Sequence, residues 1–237
     1  MQNQQNKCGK NQGGSSTQQT SKTSKTNKIQ IPTPNQNELE FYLKAFKTDL
    51  TMRHYLAQES ALKKLFKAYH NNTNLDEIII KVASLNSLYG TNIFNIFAVA
   101  EHISHIKHID ERLKNGDEKL VSEIAKSGLK NKNGKEIIFY SFATKFCSFH
   151  NREKYAIYDS FVAKVLTYFK QDFRKEKPFN QNDLRNYAEF MQILEDFKKR
   201  YKLECNLKEL DLYLWQFGKD EKYKDLWRDG SSTKQPK

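Results

Sequence analysis

The sequence is poor in cysteine. Cys8, Cys147 and Cys205 are the three in 237 residues, and they form no CxxC and no pair at metal-ligand spacing. That count excludes a disulfide-stapled scaffold and fits reduced thiols in a cytosolic protein. No stretch approaches the roughly eighteen apolar residues of a membrane-spanning helix, and the polar N-terminus lacks the apolar core of a signal peptide. Glycine-rich phosphate loops, paired catalytic carboxylates and Ser/His/Asp arrangements are absent, which argues against nucleotide hydrolysis and acyl transfer. No alternating strand pattern stands out, and no repeat recurs at a fixed period. A soluble, cytoplasmic protein is expected, nucleoid-associated if it binds DNA.

Acidic residues are missing from the first 37 positions, while Lys7, Lys10, Lys22, Lys25 and Lys28 lie there among Gln, Asn, Ser, Thr and Gly. Such a segment has too little apolar surface to repay its ordering, so residues 1–37 read as a disordered basic tail. It holds five of the twelve net positive charges, which leaves +7 on the rest of the chain. A balance that basic favours a polyanionic partner, with DNA first, bound through the basic surface and the N-terminal arm. A lysine- and asparagine-rich genome or a passive solubilising tail would explain the same composition.

From Glu38 the apolar spacing is helical. It predicts a single all-α domain over 38–228, of about nine helices, followed by a disordered tail at 229–237. Helices are expected from Leu75 to Gly90, from Thr91 or Asn92 to Asn115–Gly116, over 117–127, over Ile137–His150 and Ser160–Asp172, over Asn182–Tyr201, and over Leu207–Phe217 with Gly218 closing it.

One stretch, YSFATKFCSFHNREKYAIYDSFV (Tyr140–Val162), carries the chemistry. On a helix, Phe142, Phe146 and Phe149 share one face, and Ser141, Lys145 and Ser148 form a small polar stripe beside it. An apolar setting is costly for a charged lysine unless it has a partner or a task. Asp159 stands before the next apolar periodic segment, the position of an N-cap, where backbone N–H groups hold its carboxylate. A lysine nucleophile must be neutral, which burial favours by lowering its free pKa of about 10.4. A fixed carboxylate beside it can take a proton or stabilise positive charge on a sugar.

Other residues join as candidate substrate- or DNA-binding groups. Asn86 and Tyr89 share a face before Gly90, with Tyr89 able to stack on a base or to pack in the core. His150 and Asn151 can meet a flipped base or a phosphate, or simply cap their helix. Tyr158 adjoins Asp159. Asp211 and Trp215 share a helix face, and Trp215 can stack on a base or pack in the core or an interface. Lys130, Lys132 and Lys135 lie in a loop suited to phosphate contact or simply to solvation. Glu101 and His105 have i, i+4 spacing, with His102 and His108 nearby, but no HExxH is present and no metal site is expected.

The order helix, Lys145, turn, Asp159, helix resembles the active-site segment of the helix-hairpin-helix DNA glycosylases, and more closely their divergent bacterial 8-oxoguanine-glycosylase-like branch. LNSLYGTNIF (Leu85–Phe94) and LDLYLWQFGK (Leu210–Lys219) resemble it more weakly. The resemblance implies a helix-hairpin-helix glycosylase-like fold and a base-excision repair enzyme for an oxidised or damaged purine, with or without abasic-site lyase activity. It implies that Lys145 attacks the deoxyribose C1′ and forms a Schiff base, that Asp159 assists, and that neither metal nor organic cofactor is needed. Two features depart from the family pattern: no L-P-G-x-G hairpin precedes Lys145, and its fourteen-position separation from Asp159 is short. The alternative is a non-catalytic all-α module binding nucleic acid or protein, with Lys145 and Asp159 as a structural ion pair. A monomer is assumed.

Overall fold

The structure, a computed structural model, describes residues 30–227. Most of the expected basic arm, up to residue 29, and the expected C-terminal tail lie outside the described residues. Within them the chain is all-helical, with ten α-helices, three short 3-10 turns and no strand. None of its helices is long and apolar enough to cross a membrane.

The first helix, α1 (Gln36–Thr48), starts two residues before the expected boundary because the Asn35 side chain accepts from the Glu38 N–H. It buries Leu39, Tyr42 and Phe46. After a 3-10 turn at Leu50–Met52, α2 (Arg53–Ala68) buries Leu62 and Phe66 and also Glu59. Asn74 caps α3 (Leu75–Tyr89), which ends at Gly90 in the left-handed region, φ 57°, where a side chain would be strained.

The expected single helix over residues 91–115 is two: α4 (Ile96–Ser104) and α5 (Ile109–Asn115). The Ser104 hydroxyl and the His105 ring both bond the Glu101 carbonyl. Such side-chain contacts compete with the helical ladder, and His108 then turns the chain at φ 54°. Next come α6 (Glu118–Ala125), capped by Asp117, and a loop with one isolated antiparallel bridge, Lys130–Glu136.

The centre is α7 (Tyr140–His150), in which every residue from Phe142 to Phe149 is buried. The expected pair of stripes is therefore a helix enclosed on all sides, packed by α2, α3, α5 and α6. Then follow α8 (Ser160–Phe173), α9 (Tyr187–Tyr201) and α10 (Leu207–Lys219). α9 starts at Tyr187 rather than Asn182, because Asn186 caps it and residues 183–185 form a 3-10 turn.

Gly218 does not close α10. It lies inside the helix, where a Cβ would stand 2.5 Å from the Phe161 carbonyl oxygen. Glycine lets α10 press against the first turn of α8. α10 also packs on α1, and α8 on α9, so the last helices close the molecule over its first.

Candidate active site

Two local features bring Lys145 and Asp159 together. The buried α7 points the Lys145 amine toward the segment entering α8, and Asp159 is the N-cap of α8, its Oδ1 accepting from the Phe161 N–H at 2.9 Å. That leaves Oδ2 for Lys145, 3.8 Å from Nζ. Lys145 is 3% exposed and Asp159 24%. The amine donates to Ser141 Oγ at 2.6 Å and to the Tyr158 carbonyl at 3.4 Å. Its nitrogen also lies 5.5 Å from the centre of the Tyr89 ring. Burial pushes the Lys145 ammonium below the ordinary lysine value, with Asp159 and then Asp211 opposing.

A cavity of about 240 Å³ opens beside the pair. Phe46, Tyr55, Tyr89, Phe161 and Trp215 give it aromatic walls, and the Tyr55 and Trp215 rings meet edge to face at 4.8 Å. Asp211 and Lys208 on α10 and Glu59 on α2 also line it. Burial raises the Asp211 carboxyl to about 6, against the pull of Lys208 and Lys145. Glu59 goes the other way. Burial would raise it, but Lys208, Lys63 and Arg152 together bring it down to about 2. It bonds Arg152 at 2.5 Å and so ties α2 to the turn after α7.

The structure thus gathers Lys145, Asp159, Tyr89 and Trp215 around one cavity. The other expected binding groups do not line it. Asn86 accepts from Thr91 and the Ile93 N–H and donates to the Ile93 carbonyl, so its amide is spent on the turn after α3. Asn151 donates to the carbonyls of Leu113 and Lys114 and closes the end of α5. His150 packs against Phe66 and Phe146 with its Nε2 buried and unpartnered, and burial lowers its pKa to about 3. The Tyr158 ring packs between Tyr140 and Phe190, and only its carbonyl reaches Lys145. Lys130, Lys132 and Lys135 stay on an exposed loop. His102 bonds the Glu123 carbonyl, and among the described residues no three His, Cys, Asp or Glu side chains gather as a metal site would require.

Sequence spacing gave no reason to single out Tyr55, Glu59, Phe161 or Lys208, which α2, α8 and α10 deliver from distant positions. Asp211 did carry a signal, an acid within the apolar run LDLYLW.

A family model named HI_0787_N, described as an N-terminal domain, matches residues 38–154. An uncharacterized protein of Haemophilus influenzae (strain ATCC 51907 / DSM 11121 / KW20 / Rd) is 45% identical over 150 residues, which cover 63% of this chain and 70% of that protein. No solved structure matches the chain. At that identity and coverage, the chain belongs to the family of the Haemophilus influenzae protein.

Proposed function

We propose that this protein is a DNA glycosylase that removes an oxidised or damaged purine through a lysine nucleophile. One observation carries the reading: a nearly buried amine, 3% exposed, is held 3.8 Å from a carboxylate on the wall of an aromatic cavity. The molecule supplies a contrast in Arg174. That residue is 2% exposed and bonded to both Glu189 and Asp196, as a structural ion pair should be. Lys145 instead makes its short bond to a serine hydroxyl and keeps a loose contact with its carboxylate.

The chemistry follows from these groups. The target nucleotide leaves the stack and its base enters the cavity, where Tyr89 and Trp215 offer aromatic faces. The lone pair of neutral Lys145 forms a bond to C1′ as the glycosidic C–N bond breaks, and that electron pair leaves with the base. The amine proton passes to Asp159 and on to the departing base. Opening of the C1′–O4′ bond by the remaining nitrogen lone pair gives a protonated Schiff base, and O4′ takes a proton from water to become a hydroxyl. Water releases the sugar, or β-elimination cleaves the strand first. Ser141 and the Tyr158 carbonyl hold the amine in place.

Borohydride reduction tests this directly, because it converts the Schiff base to a stable amine. Duplexes carrying 8-oxoguanine or an abasic site should yield a protein–DNA adduct that disappears in Lys145→Ala. Asp159→Asn should slow base release by about 10²-fold or more while DNA binding persists. Absence of adduct and of base release across a lesion panel, with folded protein, would sink the proposal and leave Lys145–Asp159 as a structural pair.

A further inference from the structure

A second cavity, of about 300 Å³, adjoins the first and shares Phe161 as a wall. Its charged lining is Lys164, Lys219, Lys224, Asp220 and Glu221. Three of these are already occupied. Asp220 accepts from the Tyr42 hydroxyl at 2.7 Å and from the Lys222 N–H at 2.9 Å, and Glu221 pairs with Lys224 at 3.1 Å. Lys164 and Lys219 have no carboxylate partner among the described residues. Each is instead placed by an aromatic ring, Lys164 at 4.8 Å from the Phe161 centroid and Lys219 at 4.2 and 4.7 Å from those of Tyr55 and Trp215. Those three rings are walls of the Lys145 cavity. Lys219 also donates to the Tyr55 hydroxyl. The two free cations of the second cavity are therefore fixed by the walls of the first.

We propose that Lys164 and Lys219 bind the backbone phosphate of the nucleotide whose base occupies the Lys145 cavity. This rests on the glycosylase reading of that cavity. A base and its own phosphate are separated by one sugar, so they call for neighbouring concavities with a common wall, which Phe161 provides. Lysine suits the task as a point charge without sequence preference. Lys219, touching the rings of one cavity and lining the other, links phosphate capture to the position of Tyr55 and Trp215.

The test uses the full chain and a fluorescent duplex containing a tetrahydrofuran abasic analogue, with binding measured by anisotropy over a salt series. Each lysine that neutralises a phosphate contributes about 0.9 to the slope of log affinity against log salt. Lys164→Ser and Lys219→Met should each flatten the slope by about that amount, the methionine keeping an apolar stem against Tyr55 and Trp215. Charge-matched controls, Lys107→Ser and Lys126→Ser made singly, should leave the slope unchanged. Lys164→Ser is the safer variant for folding and decides the matter by itself. An unaltered slope, or equal flattening in the controls, overturns the phosphate site while borohydride trapping by the parent protein still supports the glycosylase. A parent protein that neither binds the duplex nor traps overturns both.

Discussion

Asp211 is the residue whose chemistry is least explained by folding. Its side chain is 11% exposed, and its nearest cation, Lys208, is 3.7 Å away. Burial raises its carboxyl from 3.8 to about 6. A carboxyl whose folded-state value lies above its unfolded one favours the fold only when protonated. That contribution is whole below about pH 3.8 and is lost as the pH rises through about 6. At neutral pH the ionised group therefore costs stability, at most about 3 kcal/mol for a shift of this size. Asp211→Asn should accordingly raise the unfolding free energy at pH 8 and change little near pH 4, as measured by urea denaturation at both values. Equal or lower stability at pH 8 would overturn the argument. A group that costs stability while facing the Lys145 cavity is the pattern expected where function outweighs stability. On the proposed glycosylase reading, base release by the same variant should fall.

At the scale of elements, the contact of α10 with α8 sets the geometry of the site. α8 carries Asp159 at its N-cap and α10 carries Asp211 and Trp215, and Gly218 lets the two approach until a Cβ would stand 2.5 Å from the Phe161 carbonyl oxygen. Gly218→Ala gains about 1 kcal/mol of helix propensity but forces an overlap with backbone that costs about 1–3 kcal/mol. The overlap should win, because a carbonyl inside a helix cannot rotate away as a side chain can. Gly218→Ala is expected to lower stability by about 1–2 kcal/mol and to slow base release beyond what the lost fraction folded explains. An Ala variant as stable and active as the parent would show that α8 has slack. This glycine also marks where sequence reasoning stopped. Periodicity and capping placed most helices and put Asp159 at an N-cap, because those signals are local. Gly218 near a helix end resembled a terminator because local pattern cannot register a neighbouring helix. Likewise Asn86 and Asn151 suited ligand binding by type, and only the assembled fold shows their amides spent on the backbone. The enclosure of α7 on every side was only partly legible: the pattern placed Lys145 in an apolar setting, but a small polar stripe does not reveal that neighbouring helices cover it as well as the aromatic face.

At the scale of the whole molecule, the site spans the end of the matched domain. The family match stops at residue 154, so Lys145 lies inside it and Asp159, Asp211 and Trp215 beyond. The core is divided in the same way. Tyr42 of α1 meets Tyr213 and Phe217 of α10 at ring distances of 5.8 and 5.7 Å, and the buried Gln216 amide donates to the Tyr42 carbonyl. Glu59 of α2 pairs with Arg152 and with Lys208 of α10, bridging both sides of that boundary. A fragment of residues 30–154 would expose Tyr42 and Phe46, whose rings pack on Tyr213, Phe217 and Trp215, a loss of about 3–6 kcal/mol at about 1.5–3 kcal/mol for each large side chain. That approaches the entire stability of an ordinary domain, about 5–15 kcal/mol. It would also strip Lys145 of the Tyr158 carbonyl and Asp159, leaving a buried amine with Ser141 alone. The fragment is therefore expected to unfold without a cooperative transition, followed by circular dichroism on heating, and to give no borohydride adduct, whereas residues 30–227 should unfold cooperatively and give the adduct. A sharp transition in the fragment close to that of the longer chain would mean that the matched segment is a folding unit by itself, and that the C-terminal helices add the site to a core already complete.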